Sequence, residues 1–295
     1  PYIPNLKVAV LGLGQPNKNI GYGFRVRENA TFKMMNSELF RCGYVSVWRQ
    51  GLIIEAYGTR IENCSFKSGY YGVHYNKTLY NTISNCFIFK CARGISMYKS
   101  YYNNIVNNTA TGNTFNIYPE SCQNNNFLNN TVSGGGYGIY LYLSARNTIA
   151  NNIAYSNTIG ITLSNGGYNI IRDNNIYSNT QRGISLSAAS NNKITGNTLN
   201  GPNQQYGIYF QLSVNRNIIS NNNASLNTQG GMYISGYDNY IANNTANSNT
   251  MYGIYCAGQR TVIFNNTANG PSQQYGIYIS GASSNILTSN KVSNN

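Results

Sequence analysis

Apolar and polar residues alternate in short bursts along most of this chain. Ile139, Leu141 and Leu143 fall on one side of such a burst and Tyr140 and Tyr142 on the other; Ile161 and Leu163 oppose Thr162, and Ile184 and Leu186 oppose Ser185. A period of two places one face of a β-strand in a core and the other in water. Between the bursts lie Gly, Asn, Ser and Thr, which are poor in helix interiors and good in turns. A glycine sits at the head of each burst and recurs every 22 to 24 residues, at Gly72, Gly94, Gly138, Gly160, Gly183, Gly207, Gly231, Gly253 and Gly276, with Asn116 on the one missing beat. A fixed period in the twenties predicts a solenoid, because one such unit cannot bury its own apolar face and must stack on its neighbours.

Extended chain advances ~3.3 Å per residue, so one period traces about 73 Å, room for three short strands and three corners. Successive turns then lie ~4.8 Å apart, and residues one period apart become vertical neighbours. Asparagines at that interval, Asn81, Asn103, Asn125, Asn147, Asn169 and Asn191, followed after longer steps by Asn215 and Asn239, are expected to form a stacked column at one corner. Asn suits the place because it tolerates left-handed backbone and its amide bonds up and down a ladder. A second column is expected through the pairs Asn107 and Asn108, Asn129 and Asn130, Asn151 and Asn152, Asn243 and Asn244, and Asn265 and Asn266.

The recurring pattern N-x-I-x-x-N-x-x-x-x-N-x-x-G-I-x-L over roughly residues 60 to 295 resembles the repeats of the pectin-lyase-like superfamily, which includes a family associated with copper-enzyme maturation. The resemblance implies an all-β, right-handed parallel β-helix of about ten coils of 22 to 24 residues. It says little about activity, since the superfamily holds lyases, glycosidases, epimerases, adhesins and viral tailspikes. Its enzyme motifs are missing here: there is no paired-aspartate segment with a downstream GHG, no calcium-binding aspartate cluster and no DPHD. Residues 1–31 do not fit the repeat and are expected to cap the rod or join it to a preceding domain. Residues 32–295 are expected to form the β-helix, which stops in mid-repeat at KVSNN as a piece of something longer or with its end covered by a partner.

Charged residues make up only 9% of the chain, with 20 Lys and Arg against 7 Asp and Glu. The excess is local, concentrated before residue 101, and lacks the dense basic clusters of a nucleic-acid binder, so no nucleic-acid partner is expected. No apolar run is long enough to span a membrane. The single histidine, His74, and the scattered Met34, Met35, Met97, Met232 and Met251 show no ligand spacing, so neither metal nor cofactor is expected. Six cysteines are too few for a disulfide framework; Cys64 and Cys86, one period apart, are placed as column neighbours, either bridged or as free buried thiols. Asn-x-Ser/Thr triplets are frequent in so Asn-rich a chain, and Asn29 and Asn76, away from the ladders, are the favoured glycan acceptors.

Two kinds of chemistry remain. Glycosidic-bond hydrolysis needs two carboxyl groups ~5 to 9 Å apart, and the candidates are Glu38, Glu55 and Glu62, with His74 on a neighbouring coil. The second is aromatic. In YGIY the residue after Ile faces outward, giving a column that ends in Tyr209, Tyr233, Tyr255 and Tyr278; the position before Gly gives a parallel column containing Tyr206, Tyr252 and Tyr275. Such a strip suits sugar rings, but it also suits cross-strand stacking or a contact between rods in a trimer. The near-copies NGPNQQYGIY and NGPSQQYGIY put matching Pro-containing bulges beside it. The expectation is an extracellular, cell-surface or virion-surface rod attached to cell-surface polysaccharide or glycoprotein glycan, able to associate as a homo-oligomer through the aromatic face or its ends. A polysaccharide-degrading enzyme and a purely structural spike or surface-layer rod are the alternatives.

Overall fold

The computed structural model describes residues 2–4, 7–9, 23–40, 51–281 and 283–294. All regular structure among them is strand, wound as a parallel solenoid of about eleven turns. Three sheets run along the rod. One has 13 strands, from Tyr2–Pro4 to Ile286–Thr288; a second has 8, from Lys7–Ala9 to Asn175–Tyr177; the third, the front sheet, has 12, from Phe24–Val26 to Tyr275–Ile279. The segment before residue 32 thus supplies the outermost strand of each sheet, and its turn adds to the ten expected from the repeat.

Every strand pairs with its counterpart one turn away, so the sequence period becomes a spatial column. In the first sheet Ile83 lies over Ile105, then Phe127, then Ile149. In the front sheet Ile95, Ile117, Ile139 and Ile161 do the same. These side chains have 0% exposure, and burial of each is worth about 1.5 to 3 kcal/mol. The second sheet stops after Asn175–Tyr177, where its inward column shrinks from Ile176 and Leu199 to Ala224, Ala246 and Ala268 and pairing falls to single bridges.

The asparagines do form ladders, with a register that corrects the simple period. The first runs Asn81, Asn103, Asn125, Asn147, Asn169, Asn192, Asn217, Asn239. Asn191 and Asn215 stand outside it. Asn191 occupies the left-handed corner, at φ 60, that Tyr102 and Arg146 fill on other turns. The ladder residue is fixed by the buried Ile two places on, as in Asn192 and Ile194 or Asn217 and Ile219, so these turns have 23 and 25 residues. The second ladder contains the second member of each Asn pair, from Asn108 to Asn266, while first members such as Asn107 and Asn129 take the exposed left-handed corner.

Within a ladder each side-chain oxygen accepts twice from the preceding turn. Asn125 Oδ1 takes the Asn103 backbone N–H and Nδ2, both at 2.9 Å, while Asn125 Nδ2 donates to the Ser100 carbonyl at 3.0 Å. Full partnering is what lets so many amides be buried. Where the second ladder reaches its early turns a thiol stands in: the Cys64 N–H donates to Cys86 Sγ at 3.4 Å. Both cysteines are free and buried, which selects the thiol alternative for this pair; Cys42 lies outside the described residues.

A third ladder, at the third N of the recurring pattern, runs through Asn113, Asn157, Asn179, Gln204, Asn227, Asn249 and Gln273. The two Pro-containing bulges belong to it. Each inserts a turn, Gln204 N–H to the Gly201 carbonyl and Gln273 N–H to the Gly270 carbonyl, and the longer Gln side chain reaches back to the column. Pro202 and Asn203, like Pro271 and Ser272, are left exposed beside the front sheet.

Candidate carbohydrate-binding face

Front-sheet strands are five or six residues long over most of the rod, against three in the other sheets, so the front is its broadest surface. The outward columns fall where the alternation puts them. After the inward Ile come His74, Ser96, Tyr118, Tyr140, Thr162, Ser185, Tyr209, Tyr233, Tyr255 and Tyr278. Before the glycine come Tyr71, Arg93, Phe115, Tyr137, Ile159, Arg182, Tyr206, Gly230, Tyr252 and Tyr275. All seven tyrosines singled out from the sequence therefore share one surface.

Their rings are not isolated platforms. Tyr209, Tyr233, Tyr255 and Tyr278 stack on one another with centroids 4.7, 4.8 and 5.5 Å apart, and Tyr206, Tyr252 and Tyr275 pack tilted or edge-on against them at 5.0, 5.1 and 4.9 Å. Faces within the stack are covered, and what the surface offers is edges and phenol hydroxyls, with Tyr275 the most exposed. Desolvation raises the Tyr206 and Tyr233 phenols above their usual range, so both are neutral donors at physiological pH. A second aromatic group, Phe115, Tyr118, Tyr137 and Tyr140, stacks in the same manner lower on the rod.

Two arginines that the tyrosine count overlooked start these groups. Arg93 lies 4.3 Å from the Tyr118 ring and Arg182 4.0 Å from the Tyr209 ring. Each replaces Tyr in the motif, RGIS for YGIY, which is the only sign of them in the sequence. His74 stacks on Tyr71 at 4.4 Å, and its Nδ1 is 3.1 Å from Ser96 Oγ. Burial, reinforced by Arg93, pushes it down to about 4, so it is neutral near pH 7.

The carboxylate candidates are spread over the three sheets. Glu38 is in the second sheet, Glu62 in the first, and Glu55 at the end of a front-sheet strand. Each is ion-paired: Glu38 with Lys67 at 3.0 Å, Glu62 with Arg60 at 2.9 Å, and Glu55 with the Arg25 guanidinium and, at 3.0 Å, Asn76 Nδ2. Hydrogen bonding from Arg25 holds the Glu55 carboxyl below its usual range, the opposite of what a general acid needs. Asn29 is exposed at a left-handed turn, whereas the Asn76 amide is committed to Glu55. Among the described residues no helix is long and apolar enough to cross a membrane.

Known proteins share the fold of this chain. A family model described as periplasmic copper-binding protein (NosD) matches residues 15–180, and one described as right handed beta helix region matches residues 146–295. No curated protein matches the chain. Among solved structures, the Dettilon tailspike protein superposes with a TM-score of 0.58 at 17% identity over 81% of this chain, which spans 60% of the tailspike chain. The A-module of Azotobacter vinelandii mannuronan C-5 epimerase AlgE6 gives 0.66 at 12% identity, covering 92% of this chain and 88% of that one. DFA-IIIase from Arthrobacter chlorophenolicus A6 gives 0.55 at 11% identity, with 90% and 81% covered. At such identities these likenesses establish the β-helix alone.

The copper in the family description finds no matching donor set among the described residues. Soft copper sites use clustered thiolate, thioether or imidazole. Among the described residues no three His, Cys, Asp or Glu side chains gather, Met97 and Met232 are sealed in the core, and His74 is engaged with Tyr71 and Ser96. The described residues do not fit a copper centre. By the extent of the two family matches, the chain belongs to the NosD family and is built as a right-handed parallel β-helix.

Proposed function

We propose that this β-helix attaches, on the outside of a cell or virion, to cell-surface polysaccharide or glycoprotein glycan through its front sheet. The observation that carries the reading is the Tyr206, Tyr209, Tyr233, Tyr252, Tyr255, Tyr275 and Tyr278 surface, a rigid run of ring edges and hydroxyls spanning four turns. Tyrosine presents amphipathic contact area at low entropic cost. Pro202 and Pro271 bracket the run at the adjoining corner. Solved structures of the same architecture include one named as a tailspike protein.

Changing Tyr209, Tyr233 and Tyr255 together to Ala is expected to lower glycan-array or whole-cell binding at least tenfold while the far-ultraviolet circular dichroism of the rod persists. Undiminished binding by the folded triple variant would refute the reading. The degradative alternative predicts instead that the protein releases reducing ends or unsaturated sugars and that Glu55→Gln stops it; the structural-rod alternative predicts no saccharide ligand.

A further inference from the structure

We infer that the front sheet selects anionic saccharides, carboxylated or sulfated, and that their charge is read in a trough between the two aromatic groups, at Arg182. This rests on the carbohydrate-binding reading above and adds a specificity to it.

The trough follows from the column order. Between Tyr140 and Tyr209 the outward positions are Thr162 and Ser185, flanked by Ile159 and Arg182. Three turns separate the two tyrosines, about 14 Å at ~4.8 Å per turn, and the floor is two short hydroxyl side chains. Tyr140 bounds it on one side. Its ring partners, Phe115, Tyr118, Tyr137 and Tyr142, all come from its own or the preceding turn, so no aromatic ring covers the side facing Thr162. The far wall is Tyr209, with the Arg182 guanidinium laid over its ring.

Two features point to a ligand. Thr162 Oγ1 is buried with no hydrogen-bond partner, a costly condition on a surface otherwise fully satisfied. Arg182 is likewise underused: Nη1 donates to Ser185 Oγ at 3.3 Å, and no carboxylate pairs with it among the described residues. Arginine carries five donors in a planar fork suited to carboxylate and sulfate-like oxygens. Stacking on Tyr209 fixes its plane while leaving the donor edge open. No acidic residue occupies the outward positions of the turns around the trough, Tyr137 to Tyr142, Ile159 to Ser164, Arg182 to Ser187 and Tyr206 to Tyr209. The equivalent Arg93 differs, since Glu120 follows two residues after Tyr118 and its charge acts on that tyrosine. Arg182 is therefore the specificity residue and Arg93 the weaker copy.

Binding of the full chain to three immobilised polymers tests this: polygalacturonate, dextran sulfate and neutral dextran, at low and at physiological salt. The expected result is about tenfold or greater preference for one or both anionic polymers over dextran, lost in Arg182→Gln, retained largely in Arg93→Gln, and partly restored in Arg182→Lys. Tyr140→Ala should weaken anionic binding without erasing the charge preference. Equal binding of charged and neutral polymers overturns the inference and leaves the carbohydrate-binding face standing, whereas no binding to any polymer or to a glycan array removes both. An anionic preference undiminished in folded Arg182→Gln also overturns it, placing the charge recognition on the basic early turns.

Discussion

At the scale of single residues, the structure turns on amide partners that sequence identity conceals. Gly135 stands where the third ladder needs an amide, and Asn116 stands where the front sheet elsewhere has glycine. The two exceptions compensate each other. The Asn116 side chain, 0% exposed, turns inward to accept from Asn113 Nδ2 at 2.8 Å and to donate to Asn157 Oδ1 at 3.0 Å, spanning the vacant beat. Asn116→Gly, which restores the repeat motif, is therefore expected to destabilise by about 3 kcal/mol through three lost buried hydrogen bonds, the third to the Ser133 carbonyl, measured as a lower denaturation midpoint at unchanged slope. His74 supplies a pH test. Its folded value of about 4 lies below the unfolded 6.5, so the unfolded chain binds the extra proton. Stability is whole above pH ~6.5 and falls progressively toward pH ~4, by up to about 3 kcal/mol. Thermal unfolding from pH 7 to 4.5 should show that loss, and His74→Gln should flatten it.

At the scale of elements, legibility followed whatever was repeated by residue type. Strand alternation, inward isoleucines and outward tyrosines were readable because each column keeps one kind of side chain. The third ladder was present only as the third N of the recurring pattern and was not read as a column, because its places are filled by Cys91, Asn113, Gly135, Asn157 and Gln204, which share a role without sharing an identity. Asn191 misled for the converse reason: it has the ladder's identity and a corner's conformation, and only its distance from Ile194 reveals the difference. The arginines were hidden because their importance lies in stacking on the next turn's ring. Strand-heading glycines were legible as period markers, but their cause is the close approach of turns. A Cβ on Gly207 would sit 2.7 Å from the Gly231 carbonyl oxygen and 2.7 Å from Ala224 Cβ. Gly207→Ala is thus expected to cost about 1 to 3 kcal/mol, read as a drop in melting temperature, with loss of Tyr209 stacking visible in near-ultraviolet circular dichroism.

At the scale of the whole molecule, the two family matches overlap over residues 146–180, in keeping with one unbroken rod. Each turn touches chiefly the turns beside it, so stability is a sum of neighbour terms and damage at one turn stays local to its two interfaces. The Tyr and Arg variants of the front sheet lose outward stacking between turns, about 0.5 to 1.5 kcal/mol per ring pair, but leave the buried columns intact, so their binding is read on variants whose circular dichroism shows the folded rod. The Asn116 and Gly207 substitutions act inside the rod and should report as stability.

The ladders have one more implication. In all three, the amide oxygen of a later turn accepts from the amide N–H of the turn before it, in most cases together with that turn's backbone N–H, without reversal. Cut between turns, a ladder would leave its donors to the next amide on the face toward the C-terminus and its amide oxygens on the opposite face. Its coils can join head to tail but never head to head, as magnets laid in a row permit only one order.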